Sequence, residues 1–191
     1  MAKVTVAVII GSLRKDSINL KLGKALAKLG QDKFEAKFLS IGDLPLFNQD
    51  LEANFPETAT RLKNDIVAAD AVLFVTPEYN RSMPGPLKNA IDWCSRPYGK
   101  NAFAGKPAAI CGASPGAIGT ACAQSSLKPI LSYLDIALMG QPEMYLHFTD
   151  GLIDGEGNIT NDNTKKFLQK FVDSFANWIA QHASNSKAKV A

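Results

Sequence analysis

The chain reads as short apolar runs separated by stretches in which apolar residues return every third or fourth position. Val4-Thr5-Val6-Ala7-Val8-Ile9-Ile10 is the first run, closed by Gly11, and it predicts a buried parallel strand. Leu22, Ala25, Leu26 and Leu29 then recur at helical spacing up to Gly30. Phe34 to Ile41 predicts a second strand, followed by the irregular stretch Gly42 to Asn48. Glu57 to Ala69, entered through Pro56, carries Leu62, Ile66 and Val67 as the stripe of the next helix. Ala71 to Val75 predicts a third strand and Gly85 to Ser95 a third helix. Pro107 to Cys111 follows as strand four, and Gly119 to Leu134 as a helix that Pro129 should kink or restart. Only Ile136 to Met139 and Glu143 to Leu146 remain for strand five, which must therefore be short or split. The last helix, Asn161 to Ala183, sets Phe167, Leu168, Phe171, Val172, Phe175, Trp178 and Ile179 on one face, as a helix docked on a sheet requires. Ser184 to Ala191 is small and polar and predicts a flexible tail.

About five alternations of strand and helix predict an α/β fold, a doubly wound parallel sheet covered by helices on both faces, in three layers. One domain over residues 1–183 accommodates five strands in the order 2-1-3-4-5. In that order strands one and three are neighbours, and a crevice opens where the chain reverses its winding between them. Two loops flank it, Gly11 to Asn19 and Thr76 to Ser82.

Composition narrows the partners. With 21 basic and 18 acidic residues the formal charge is +3, and Lys187 and Lys189 are the one basic tract, so nucleic acid is not an expected partner. No apolar run has the length of a membrane span and no signal-peptide pattern follows Met1, so the expected compartment is the cytoplasm. Cys94, Cys111 and Cys122 form no paired motif and read as packed free thiols. Only His147 and His182 are present, which offers no histidine-rich metal site. Asp154, Glu156 and Asn158 alternate like a calcium loop but lack its ligand spacing, so Gly151 to Asn158 reads as a solvated turn.

The chemistry concentrates in the two crevice loops. Thr76-Pro77-Glu78-Tyr79-Asn80-Arg81-Ser82-Met83-Pro84-Gly85-Pro86 holds three prolines and one glycine, which makes it a stiff connection carrying acceptors, donors and one flat ring. Gly11-Ser12-Leu13-Arg14-Lys15-Asp16-Ser17-Ile18-Asn19 is neither a dinucleotide fingerprint nor a nucleotide P-loop. Its hydroxyls on Ser12 and Ser17, the Asn19 amide, the Arg14 fork and the N–H groups of a helix start suit a monophosphate. Capping of the helix by Asp16 or Ser17 is the plainer use of the same residues. A third contributor, Cys111 to Gly119, is made of small residues that let backbone approach a ring edge. A ligand with a phosphate at one end and a flat amphipathic ring at the other fits, and FMN is such a ligand.

The motifs G-S-L-R-x-x-S-x-N at 11–19 and P-E-Y-N-x-S-x-P-G-x-L-K-N-A-I-D-W at 77–93 resemble the NADPH-dependent FMN reductase family, in its bacterial quinone and chromate reductase branch. That resemblance implies a flavodoxin-like fold with bound FMN, with hydride passing from NAD(P)H through flavin N5 to small-molecule acceptors such as quinones, chromate, azo compounds or free flavin. It implies that Ser12, Arg14, Ser17, Asn19 and Leu20 hold the FMN phosphate and ribityl chain. It implies that Pro77, Glu78, Tyr79, Asn80, Arg81, Ser82 and Ser114 line the isoalloxazine. Family members are similar in forming homodimers or homotetramers. Two positions depart from the pattern: Asp16 stands where glycine is common, and Arg81 where an aromatic residue is frequent. Arg81, Tyr98 and Lys100 are the candidate substrate contacts. No catalytic residue is expected, because the flavin carries the redox chemistry.

Two rivals share these residues. Gly112-Ala113-Ser114-Pro115-Gly116 satisfies the hydrolase elbow G-x-S-x-G, but Pro115 has no N–H to donate to an oxyanion. A flavodoxin-like electron carrier without NAD(P)H reductase activity would use the same fold, though with an acidic surface that this mildly basic chain does not suggest.

Overall fold

The computed structural model describes residues 3–188. Strand β1 (Val4–Ile10) leads to helix α1 (Ile18–Leu29), β2 (Phe34–Leu39), a 3-10 turn over Gln49–Asn54, α2 (Glu57–Ala68) and β3 (Ala71–Val75). Helix α3 (Gly85–Ser95), β4 (Pro107–Ser114), α4 (Ala121–Tyr133), β5 (Ala137–Leu138), β6 (Tyr145–His147) and α5 (Asp162–Ala188) complete the chain. All strands pair in parallel in the order β2-β1-β3-β4-β5. Strand β6 also pairs with β4, along Gly112 to Ser114, while β5 pairs with Pro107 and Ala108 at its other end. The fifth position of the sheet is thus filled by two short pieces, as the interrupted apolar pattern predicts.

Alternation along the central strands builds two cores. Val6, Val8, Ile10, Leu73, Val75 and Cys111 face α1 and α5, whose Leu22, Leu26, Leu168, Phe171 and Phe175 are buried against them. Ala7, Ile9, Val72, Phe74 and Ile110 face the opposite way, toward Leu62, Ile66, Leu87, Ile91, Leu127 and Leu131 of α2, α3 and α4. Apolar burial on both faces is what makes these strands read as nearly continuous hydrophobic runs.

Several expectations are corrected. Helix α4 runs through Pro129 unbroken. The carbonyl that this proline leaves without a donor belongs to exposed Ser125, where water can serve it. Val67 and Phe167, placed on core faces by spacing, are 56% and 40% exposed, because each stripe is narrower than its run of apolar residues. Helix α5 continues to Ala188, so 184–188 is helical backbone rather than tail, and 189–191 lie outside the described residues. No helix among the described residues is long and apolar enough to cross a membrane.

Candidate active site at the carboxyl edge of the sheet

Strands β1 and β3 end side by side, the N–H of Gly11 donating to the Val75 carbonyl at 2.9 Å. The loops that leave them stay in contact. A side chain at Gly11 would stand 3.1 Å from Pro77 Cδ and from Pro84 Cγ, so any larger residue would have to push the two loops a few tenths of an ångström apart. Between them lies a cleft of about 480 Å³ lined by Gly11, Leu13, Arg14, Tyr79, Asn80, Met83, Pro84, Gly85 and Pro86. Arg14 and Tyr79, the expected anchors of phosphate and ring, therefore share one opening at the switch point of the sheet.

On the first loop Ser17 caps α1, its Oγ accepting from the Leu20 N–H at 3.2 Å. The next N–H groups, those of Ile18 and Asn19, find no acceptor among the described residues, as at any helix start. Ser12 Oγ accepts from the Arg14 N–H at 3.3 Å, and Arg14 and Asp16 are exposed. The half-buried Leu20 borders a second cavity, of about 330 Å³, together with Ser12, Leu13 and Phe38. Hydroxyls, a guanidinium and free amides thus stand on the loop that leads into the positive end of α1, groups of the kind that can hold an anion.

The buried Asn19 side chain lies elsewhere. Its Nδ2 donates to the Ala113 carbonyl and its Oδ1 accepts from the Ala113 N–H, each at 2.9 Å. Strand β3 makes its last bond to β4 through the Thr76 N–H and the Cys111 carbonyl. One rung further, the Asn19 amide takes the place of the missing strand and joins the first loop to β4.

The second loop folds into a two-residue turn. Tyr79 and Ser82 exchange N–H to carbonyl bonds of 3.0 Å, and Asn80 and Arg81 take φ of 50° and 63°, the mirror-image turn usual in tight hairpins. Glu78 and Ser82 flank it and point to α4. Glu78 Oε2 accepts from the Ala123 N–H at 3.0 Å, supplying the cap that Thr120, at φ 76°, does not. Ser82 Oγ lies 3.2 Å from Ser126 Oγ, which also accepts from the Met83 N–H. The turn is thereby clamped to α4, leaving Tyr79, Asn80 and Arg81 exposed.

Ser114 donates its hydroxyl to the Gly116 carbonyl at 3.0 Å, a turn contact rather than the posture of a nucleophile. It does not line the cleft. Nor do Tyr98 and Lys100: they follow the far end of α3, whose 11 residues carry the chain about 16 Å from the cleft. Arg81 is not part of the cleft wall either, but it directly follows Asn80, which is. The cleft-lining residues that the sequence did not single out are Gly11, Leu13, Met83, Pro84, Gly85 and Pro86. All six stand inside the quoted loops but carry no polar side chain to draw attention.

Among the described residues no cluster of three metal-ligating side chains occurs. Asp154 instead closes its own turn, accepting from the N–H groups of Glu156 and Asn158 at 2.8 Å. Beside β4, desolvation and the Glu143 carboxylate push the Tyr145 phenol up to about 12, and Lys128 holds Glu143 below the ordinary carboxylate value.

The residues present fit FMN: the Arg14 guanidinium, the Ser12 hydroxyl and the start of α1 can meet a phosphate beside an apolar cleft that carries an exposed phenol ring. Comparison with known proteins agrees with that geometry. A 2-hydroxy-1,4-benzoquinone reductase from a Burkholderia species is 54% identical over 174 residues, covering 91% of this chain and 95% of the relative. A quinone reductase of Pseudomonas putida is 51% identical over 176 residues, covering 92% and 94%. The solved structure of FerB, a flavoenzyme NAD(P)H:acceptor oxidoreductase from Paracoccus denitrificans, matches with a TM-score of 0.91 at 52% identity, covering 95% of this chain and 99% of that one. Such closeness shows that the fold is flavodoxin-like. The model of one family matches residues 4–150, which include both loops and every strand, and on that ground the chain belongs to the NADPH-dependent FMN reductase family.

Proposed function

We propose that this member of the family is an FMN-dependent NAD(P)H:quinone oxidoreductase, converting NAD(P)H, a proton and a quinone into NAD(P)+ and a hydroquinone. The observation that carries the reading is the single cleft shared by Arg14 and Tyr79 where β1 and β3 end. When bound, FMN supplies the two-electron relay between nicotinamide and acceptor. Ser12, the Arg14 guanidinium and the N–H groups of Ile18 and Asn19 bind its phosphate, their charge and dipoles offsetting the dianion. Tyr79 and Asn80 orient the ring, while Leu13, Met83, Pro84 and Pro86 keep water from one side of it. The Asn19 bridge and the Glu78 clamp hold these groups in register.

The proposal extends to chromate as a further acceptor, to a homodimer or homotetramer and to the cytoplasm. Tyr98 and Tyr133 are 85% and 83% exposed, and Tyr133 borders a cavity of about 360 Å³ between α3 and α4, which supports self-association. The free thiols Cys94, Cys111 and Cys122 support a reducing compartment. The test is the visible spectrum of the protein loaded with FMN, before and after NADPH without oxygen, followed by titration with a quinone. Bleaching by NADPH and recovery on quinone are expected. A flavin that stays oxidised with NADPH alone would leave an electron carrier in place of a reductase.

A further inference from the structure

Arg81 occupies an unfavourable position for an ordinary surface residue. It is the second central residue of the turn, at φ 63°, where glycine would sit without strain and arginine costs about 1 kcal/mol. Its guanidinium makes no hydrogen bond with the described residues, and its one ionic contact is Glu78 Oε1 at 3.8 Å. The Arg81 side chain is 69% exposed, whereas Glu78 is only 11% exposed and holds Ala123 with its other oxygen. The arginine is thus tethered loosely, with its donor fork available, one residue from Asn80 and two from Tyr79 on the cleft wall. Arg14 stands on the opposite loop, on the phosphate side.

We infer that Arg81 is a specificity-determining residue that selects acceptors carrying an ionised oxygen, namely deprotonated 2-hydroxyquinones, over neutral quinones. This deepens the quinone reductase reading and rests on it. A 2-hydroxyquinone is a vinylogous carboxylic acid and is an anion at neutral pH. Its ionised oxygen and the adjacent carbonyl lie side by side in one plane and match the two parallel N–H groups of a guanidinium. The turn borders the cleft through Tyr79 and Asn80, and Arg81, next in sequence and exposed, can reach a molecule docked at the cleft mouth. Of the two substrates that dock there, the acceptor can bring its charge to that place, whereas a dinucleotide carries its phosphates well away from the nicotinamide.

The test compares the FMN-loaded wild type with Arg81→Gly and Arg81→Lys. Glycine relieves the turn, so loss of folding does not confuse the result. The readouts are the ratio of kcat/KM for 2-hydroxy-1,4-naphthoquinone to that for 1,4-naphthoquinone, and the Kd of the hydroxyquinone for the oxidised holoprotein. Arg81→Gly is expected to lower the ratio about tenfold and raise the Kd to match, the worth of one charge-assisted hydrogen bond. Arg81→Lys should retain part of the preference, and added salt should erode it in the wild type but not in Arg81→Gly. A ratio that moves less than twofold, an equal loss on both quinones, or an effect confined to the KM of NADPH would overturn the inference. Wild-type flavin that NADPH does not bleach would instead overturn the reading beneath it.

Discussion

Replacing Asn19 by alanine isolates the bridge between the first loop and β4. The side chain is 1% exposed and makes two bonds of 2.9 Å to one residue, Ala113. Truncation leaves both the N–H and the carbonyl of Ala113 buried beside the space vacated. An unsatisfied buried backbone group costs about 1–3 kcal/mol, so the pair amounts to about 2–6 kcal/mol, and a water entering the gap would recover part. The expected loss is about 2–4 kcal/mol in urea unfolding of the FMN-free protein. For a chain of this size that is a fall in Tm of about 5–15 °C. Asn19→Asp should lose a comparable amount, because it keeps the acceptor for the Ala113 N–H but sets its other oxygen against the Ala113 carbonyl. FMN affinity should weaken only as far as the loop loosens, since the free group offered to the phosphate is the Asn19 backbone N–H. The reasoning is refuted if the FMN-free protein keeps its stability within about 1 kcal/mol while FMN affinity collapses, for then the amide would be a direct ligand.

Glu78→Ala should destabilise by about 1–2 kcal/mol by uncapping α4, whereas Glu78→Gln, which keeps an acceptor for the Ala123 N–H, should lose about half as much; chemical denaturation measures both. Burial pushes the Cys94 thiol up to about 12 and raises that of Cys111 as well, so a thiol reagent at about pH 8 should modify only Cys122 in the native protein and all three cysteines after denaturation. Hydrogen bonds from Arg61, Lys128, Asn158 and Gln169 hold Asp43, Glu143, Asp154 and Asp173 below their ordinary values. The unfolded chain therefore binds more protons in the acid range. The stability these groups contribute is present above about pH 4 and is lost as pH falls through their folded values, which a Tm series from about pH 3 to about pH 6 should show, less steeply in Asp43→Asn.

The sheet was legible because its signals are local. Val6 to Ile10 and Ala71 to Val75 are apolar without interruption and stop at Gly11 and Thr76, and both strands end where those stops predict. The gap between the two halves of the fifth strand was equally visible, since Gly140 to Pro142 suits neither strand nor helix. Side-chain duty was less legible, because a donor or acceptor does not announce its partner. Asn19 lies among serines that suit a phosphate, yet its partner is 94 residues away in β4. Glu78 lies beside Tyr79 on the ring-facing loop, yet its partner is 45 residues away at the start of α4. Tyr98 and Lys100 are near the second loop in sequence, yet α3 carries the chain toward the other end of the strands before they are reached. The 3-10 turn over Gln49–Asn54 buries no residue and so leaves no periodic trace.

The divided fifth strand has a bearing on solubility. An uninterrupted outer strand would offer a row of bare amides and carbonyls to any passing extended chain. Here that border is broken into pieces of two and three residues, separated by Gly140-Gln141-Pro142. The other border, β2, bears Glu35 and Lys37. The divided margin can therefore template a foreign strand for no more than a few rungs, which leaves the six-residue β2 as the longer open border.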